Sequence, residues 1–407
     1  MTDPAGRSFL SYRRTRSTEA ALLIHAQHDI GIPTWQDVRD LAEEPTEEHI
    51  RAVLNEDATA NAVMWLTRDV GESRMIKQVE APLIIGRARR GDGFFTIPVA
   101  AGGASYDQAA ETVKEHIGID DLKRWNLFKV DEDPLTASTA RQIAERVLER
   151  RLTAIASIDS PDKPIELTLH TRDVPPATSR TPLALNWHYR FNDREASKEI
   201  WVQYLLPALT SVSRLCIKVI PQRRIIAGGL PSIPAATALG HAFLEPRNQR
   251  LGWRQNIPGH SEQVWSLEAV PEDSGFETRV VAGDVDAQDL AVLVSVNADV
   301  QAAVAASKCY LPKFRAYVHA KRKTSSENSL IESPGQAVHL ARLVIACIRA
   351  VRSDYGASGC VHLFTAIPVG LAVLMGQLLN TLGAVQTYEH IQTGAVGEYR
   401  PAALLFQ

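Results

Sequence analysis

Tyr12, Arg13 and Trp35 are the residues near the start of the chain whose types suit work on a flat, charged ligand. A guanidinium pairs with phosphate through a fixed fork of donors, and an aromatic ring stacks on another flat ring. Asp37, two residues past Trp35, adds a carboxylate. A second group lies much later, where Lys308, Lys313, Arg315, Lys321, Arg322 and Lys323 interleave with Tyr310, Phe314 and Tyr317. Phosphate neutralisation and base stacking use this mixture of charge and ring. A basic, solvent-facing hairpin has the same sequence pattern, and that alternative stays open here. The sequence contains no GxGxxG and no GxxxxGKS or GxxxxGKT run. That argues against redox use of a dinucleotide and against P-loop hydrolysis. Cys216, Cys309, Cys347 and Cys360 are widely separated and lack zinc spacing, so no metal is expected and a reducing, cytoplasmic setting fits.

The elements that must position these groups follow from the apolar pattern. Ser8 to Tyr12, Pro33 to Gln36, Asn61 to Leu66 and Phe94 to Val99 read as strands, separated by helices around Thr18 to Gln27 and Glu72 to Leu83. Such βα alternation predicts a parallel sheet covered on both faces, with its ligand crevice beyond the strand carboxyl ends. Tyr12, Arg13, Trp35 and Asp37 fall at such ends. A helix from Ala137 to Ile155 and the proline-containing run Asp159 to Pro164 close this part. The expected division is a first domain over 1–155, a linker over 156–164 and a second domain over 165–407.

Length and composition agree with two folded domains. The 407 residues are 45% hydrophobic and 22% charged, too apolar for a disordered chain. The net charge of −3 argues against wrapping long nucleic acid, while leaving room for a local basic pocket. The start of the chain lacks the basic-then-apolar pattern of a signal peptide. Val361 to Val385 carries no Asp, Glu, Lys or Arg, yet Pro368, Gly370, Gly376 and Gly383 interrupt it. It is expected to be a buried strand, turn and helix rather than a membrane span.

The second domain reads as an internal duplication, about 165–270 and 289–407. The first copy is expected to place strands at Ile165 to His170, Leu185 to Arg190, Leu215 to Ile220, Gly252 to Gln255 and Val264 to Ala269. Its helices are expected at Ile200 to Val212 and Pro234 to Phe243. The second copy is expected to place strands at Leu290 to Val296, Phe314 to His319, Val361 to Thr365, Val385 to Tyr388 and Pro401 to Phe406. Its helices are expected at Gly335 to Tyr355 and Pro368 to Leu382. Each copy sets a proline before an Ala/Gly-rich helix and an aromatic, Trp253 or Tyr388, on the next strand. Generic alternation in an α/β fold gives a similar pattern.

Ser8-Phe9-Leu10-Ser11-Tyr12-Arg13, Gly31-Ile32-Pro33-Thr34-Trp35-Gln36-Asp37 and the helix after Trp65-Leu66-Thr67 together resemble the opening of a TIR domain. The resemblance covers about the first 150 residues and implies a flavodoxin-like parallel sheet. In TIR domains that cleave NAD, a glutamate on the third helix is catalytic, and Glu80 occupies the matching place. Ile76 stands where that family usually has Trp, which leaves Glu72 as a second candidate. The resemblance implies Tyr12, Arg13, Trp35 and Asp37 as contacts to NAD, the substrate, with no separate cofactor. Nicotinamide departs as a neutral molecule, so one carboxylate that steadies the cationic ribose suffices. Without the resemblance, Glu80 reads as a solvated glutamate on a helix face.

The duplicated pattern, with His362-Leu363-Phe364-Thr365-Ala366-Ile367-Pro368 and the helix after it, resembles a SAVED domain, two fused CARF-like Rossmann halves. That resemblance implies a cyclic oligonucleotide held at the strand ends. Arg172, Trp253, Asn297, Lys308, Phe364, Pro368 and Tyr388 are the candidate contacts. TIR joined to SAVED is similar to effectors of bacterial cyclic-oligonucleotide anti-phage (CBASS) systems. The expectation is then an NAD glycohydrolase activated by a cyclic trinucleotide, cyclic tri-adenylate first among them, through head-to-tail self-association into a filament. The loop from Trp35 to Glu44 is expected to complete a neighbour's site. The rival readings are a non-enzymatic TIR scaffold that recruits a partner and a plain nucleoside hydrolase or transferase that needs no messenger.

Overall fold

The computed structural model describes residues 1–35, 46–117, 127–173, 180–247, 249–257, 259, 261–307, 309, 311–323, 331–392 and 396–406. They form two compact units. The first comprises Met1–Pro161, Pro176–Leu185 and Arg214–Ile220, and the second Asp162–Pro175, Asn186–Ser213 and Pro221–Gln407.

In the first unit, β1 (Arg7–Ser11), α1 (Ser17–Asp29), β2 (Thr34–Trp35), α2 (Thr46–Asn55), β3 (Thr59–Leu66), α3 (Ala81–Ala88), β4 (Phe95–Ala100), α4 (Tyr106–Ile117), β5 (Phe128–Lys129) and α5 (Ala137–Ile158) alternate along the chain. The sheet order is β2-β1-β3-β4-β5, with every pair parallel. All eight residues of β3 are buried, as a central strand covered on both faces requires. This order reverses direction between β1 and β3, and the crevice at such a switch point lies beyond the strand carboxyl ends. Ser11 closes β1 and Thr67 follows β3, so both stand at that crevice.

The helix expected over Glu72 to Leu83 is three pieces: a 3₁₀ turn Val70–Glu72, a π-helical turn Ile76–Glu80, and α3. A π turn widens the backbone by one residue and redirects the side chain that ends it. Here that residue is Glu80.

Elements of the second unit continue the chain as β6 (Ile165–His170), β7 (Leu183–Asn186), α6 (Lys198–Val219), β8 (Ile225–Leu230), α7 (Ile233–Ala242), β9 (Leu251–Gln255) and β10 (Gln263–Ser266). Then follow β11 (Phe276–Ala282), β12 (Asp289–Ser295), α8 (Gln301–Ala306), β13 (Phe314–Arg322), α9 (Pro334–Tyr355), β14 (Val361–Ala366), α10 (Val369–Gln377), β15 (Val385–Ile391) and β16 (Glu398–Leu405). The segments β7 and α6 cross the division between units. One sheet runs β7-β6-β8-β9-β10 and the other includes β12-β14-β15-β16; in each, three parallel strands (β6, β8, β9 and β12, β14, β15) are followed by an antiparallel last one. The second sheet carries β13 and β11 on its other side.

Two strand expectations change, and the reading of Val361 to Val385 holds. Leu215 to Ile220 is not a strand: it continues α6, whose buried Leu209, Val212, Leu215 and Cys216 recur at helical spacing. The strand of the first copy is β8 instead. Leu185 to Arg190 is a strand only to Asn186 and then a 3₁₀ turn, His188–Arg190. Val361 to Val385 divides into β14, α10 and the start of β15, with α10 almost wholly buried. Among the described residues one helix, Lys198–Val219, is long and apolar enough to cross a membrane by length and composition, and half of that window is buried inside the protein.

Candidate functional sites at the strand ends

In the first unit the switch-point crevice gathers Ser11, Tyr12, Arg13, Thr67, Asp69 and Glu80. Glu80 is 7% exposed, so it is not a solvated glutamate on a helix face. Ser11 Oγ donates to Glu80 Oε2 at 2.6 Å across 69 residues of sequence. The π turn sets this contact by burying Ile76 and Val79 in the core that also holds Phe9 and Trp35. Glu72 is different: its side chain is 71% exposed and accepts from Arg13 Nη1 at 2.8 Å.

Arg13 is committed to carboxylates in this state. Its Nη1 also donates to Asp69 Oδ2 at 2.5 Å and to the Asp69 carbonyl at 3.0 Å. Thr67 Oγ1 donates to Asp69 Oδ1 at 2.6 Å. Burial pushes the Asp69 carboxyl up, but the Thr67 hydroxyl and the Arg13 and Arg16 charges outweigh it and hold it below the usual range. Trp35 lies between Phe9, with ring centroids 5.1 Å apart, and His49, at 5.9 Å. The ring is buried, so Trp35 packs the core rather than offering a stacking platform. Tyr12 is half-buried beside Ser11. Asp37, and the loop through Glu44 beyond Trp35, lie outside the described residues.

The second unit holds a cavity of about 450 Å³ at the carboxyl ends of β6, β12, β14 and β15. Three of the residues singled out in the sequence line it: Arg172, Asn297 and Tyr388. Arg172 follows β6 by two residues and Asn297 follows β12 by two. The Asn297 N–H donates to the Ala366 carbonyl at 2.8 Å, which fixes the turn after β12 against the end of β14. Tyr388 is held on two sides, its hydroxyl 2.6 Å from His362 Nδ1 and its ring stacked on Phe364 at 4.4 Å. Burial raises the Tyr388 phenol far above its ordinary range.

The other expected contacts sit elsewhere. Phe364 is fully buried beneath Tyr388. Trp253 is 2% exposed and packs where a Cβ on Gly370 would meet its indole, so it belongs to the core under α10. Pro368 is the N-cap of α10 and does not line the cavity. Lys308 lies outside the described residues. The basic run around it is spent locally: Lys313 pairs with Asp284 at 2.7 Å, Lys323 with Asp273 at 3.5 Å, and Arg315 donates to the Tyr355 carbonyl at 2.8 Å.

Two cavity residues have no sequence expectation behind them. Arg194 is carried by a two-residue turn in which Asp193 has φ +45° and Arg194 φ +79°, closed by the paired Asn192 and Glu195. Positive φ at two successive non-glycine residues is strained backbone of the kind that gathers at binding sites. Glu389 is 6% exposed and accepts from Arg172 Nη2 at 3.2 Å. Burial pushes its pKa up to about 7, against the pull of Arg172, Ser232 and Arg194. Among the described residues no group of three or more His, Cys, Asp or Glu is placed to hold a metal ion.

A cavity in the second unit thus gathers the strand ends of both its sheets. Residues 209–405 match the family model of the SMODS-associated and fused to various effectors sensor domain, SAVED. Over those residues, just under half of its length, the chain is similar to a SAVED domain. Two solved structures share its fold, both of an Acinetobacter baumannii Cap4 SAVED/CARF-domain containing receptor. One, with the cyclic trinucleotide 2'3'3'-cAAA, has a TM-score of 0.50 and 13% identity over 99% of this chain and 81% of that one. The other, with 3'3'3'-cAAA, has a TM-score of 0.50 and 13% identity over 97% of this chain and 100% of that one. No curated protein matches the sequence. Arg172, Arg194, Asn297, Tyr388 and Glu389 form the polar lining of the cavity, the last three within the matched residues and the two arginines before them.

Proposed function

We propose that the protein is a cyclic-oligonucleotide-activated NAD glycohydrolase of an anti-phage signalling system. Its SAVED domain takes the messenger, and its first unit, read as a TIR domain, cleaves NAD. The sensor half is supported by the SAVED match together with a cavity offering two guanidinium groups and a tyrosine ring. A cyclic trinucleotide, bound in the related receptor structures, carries phosphates for Arg172 and Arg194, with Tyr388 as part of the cavity wall.

The observation that carries the catalytic half is the Ser11–Glu80 hydrogen bond. As the bond from ribose C1′ to the pyridinium nitrogen breaks, the pair of electrons leaves with nicotinamide and the ribose becomes cationic. A carboxylate fixed by Ser11 and shielded from bulk water stabilises that charge without reorganising. Water then adds at C1′ and releases a proton, giving ADP-ribose. Arg13 reaches a pyrophosphate in this scheme only by exchanging Asp69 and Glu72 for it. Activation follows if the messenger prefers an assembled state, and head-to-tail contacts allow open filaments.

Incubating the protein with NAD and a panel of cyclic di-, tri- and tetranucleotides tests this reading. Messenger-dependent nicotinamide release, with growth in particle size by light scattering, is expected. Messenger binding and growth without any release would instead identify a scaffold. In that reading Trp35 and Arg13 keep the packed roles they have here.

A further inference from the structure

The cavity already contains an anion. Glu389 is buried, and its Oε1 holds Arg172 at 3.2 Å. Arg172 is the more exposed partner, with 41% of its side chain open, so the guanidinium faces outward and the carboxylate inward. A charged carboxylate in that position is poorly solvated and depends on its cation. A phosphate entering the cavity competes for the same guanidinium.

We propose that Glu389 is an internal stand-in for the ligand's phosphate: it occupies Arg172 in the empty domain, and an anionic ligand displaces it and makes it take up one proton from solvent. The inference rests on the cavity being the messenger site. The balance is simple, since a carboxylate and a proton become a neutral carboxylic acid while the phosphate keeps its charge and pairs with Arg172. Every group facing Glu389 supports this direction. Arg172 after β6 and Arg194 in the 193–194 turn are the charges that keep it ionised, and the hydroxyl of Ser232 at the start of α7 adds to them. Asp299, His390 and Tyr399 line the same cavity and supply no fixed positive charge to replace Arg172. Burial already brings the free-state pKa to about 7, so losing Arg172 to a ligand drives protonation at neutral pH.

Glu389 therefore sets how strongly the site takes an anion and at what pH. Affinity for a phosphate ligand falls by about tenfold for each pH unit above about 7, and is flat below about pH 6. The test is calorimetric titration of the full chain with 3'3'3'-cyclic tri-adenylate at about pH 8, in Tris and in HEPES, whose ionisation heats differ. The wild type is expected to show a buffer-dependent enthalpy corresponding to uptake of close to one proton. Glu389→Gln is expected to bind about tenfold more tightly at that pH, with no buffer dependence from this site. Should the substitution disturb folding, the wild-type pH profile of Kd alone carries the test. Binding with no proton uptake and a flat profile overturns the inference while leaving the messenger site intact; no binding of the nucleotide overturns both.

Discussion

Gly240 and Gly376 stand face to face where α7 crosses α10. A Cβ on Gly240 would fall on the Val373 carbonyl, and one on Gly376 on the Thr237 carbonyl, so each helix is touched three residues before its own glycine. The contact is reciprocal, as expected of two copies of one unit related by a local two-fold. It brings together the helices that follow β8 and β14 within one domain. Backbone this close leaves no room for a methyl group, and the listener on the other side is a main-chain oxygen that cannot swing away.

Gly376→Ala is accordingly expected to destabilise the protein by about 1–3 kcal/mol, through overpacking that only a backbone shift relieves. Chemical denaturation of the variant measures this. An unchanged midpoint would mean that the helices separate without cost.

Arg151 is fully buried and donates to the carbonyls of Ala5 and Gly6 at 2.5 Å each and of Pro182 at 3.0 Å. Burial lowers its pKa to about 10, which leaves it charged at neutral pH. Arg151→Met fills much of the volume but abandons three carbonyls, and is expected to cost at least about 3 kcal/mol. Thermal unfolding of the first unit's transition reads it directly.

Three histidines of the second unit, His170, His319 and His362, are held below the ordinary value of 6.5, in each case first by burial. A depressed folded-state value means the unfolded chain binds protons more readily. Stability is therefore expected to fall as pH drops below about 6.5. His362→Gln is expected to flatten part of this fall in a series of melting temperatures.

Glu389 runs the other way. Its value is raised to about 7, so the stability it contributes is complete below the ordinary carboxyl range and lost as pH climbs through 7. Glu389→Gln is expected to raise the melting temperature at about pH 8 and to leave it nearly unchanged at about pH 4. Equal shifts at both values would assign the residue a packing role only.

Much of the scaffold was legible because its signals agree. Asn61 to Leu66 is a continuous apolar run and becomes the fully buried β3. For α9, Ser333 caps the start, Pro334 follows, and Gly356 ends the helix at φ +64°. The β-rich composition of Leu215 to Ile220 misled because helical spacing and burial outweigh residue preference there. The strand β8 was hidden by Gly228 and Gly229, which look like a turn. At Gly229, φ is +116° and a Cβ would fall on the Leu169 carbonyl, so close strand approach explains the glycine. An edge strand with four exposed residues, β11, gave no apolar pattern to read.

Site residues divide in the same way. Arg172 and Asn297 were accessible from their places just past strand ends, and Tyr388 as the aromatic on the strand after the Ala/Gly-rich helix. Glu80, whose catalytic role is the proposal above, was singled out only through the family resemblance, because a single glutamate has no local signature. Arg194 depends on an Asn-Asp turn and Glu389 on its partner 217 residues away, and spacing along the chain encodes neither. Trp35, Trp253 and Phe364 show the limit of reading aromatics as platforms: all three fill the interior.

Nicotinamide release from NAD, followed with and without cyclic tri-adenylate for the wild type and for Glu80→Gln, tests the whole account at its centre. Release by the wild type only when the messenger is present, and loss of at least about a hundredfold in the variant, is the expected result. Equal release by both proteins, or none from the wild type with any cyclic oligonucleotide, would contradict it.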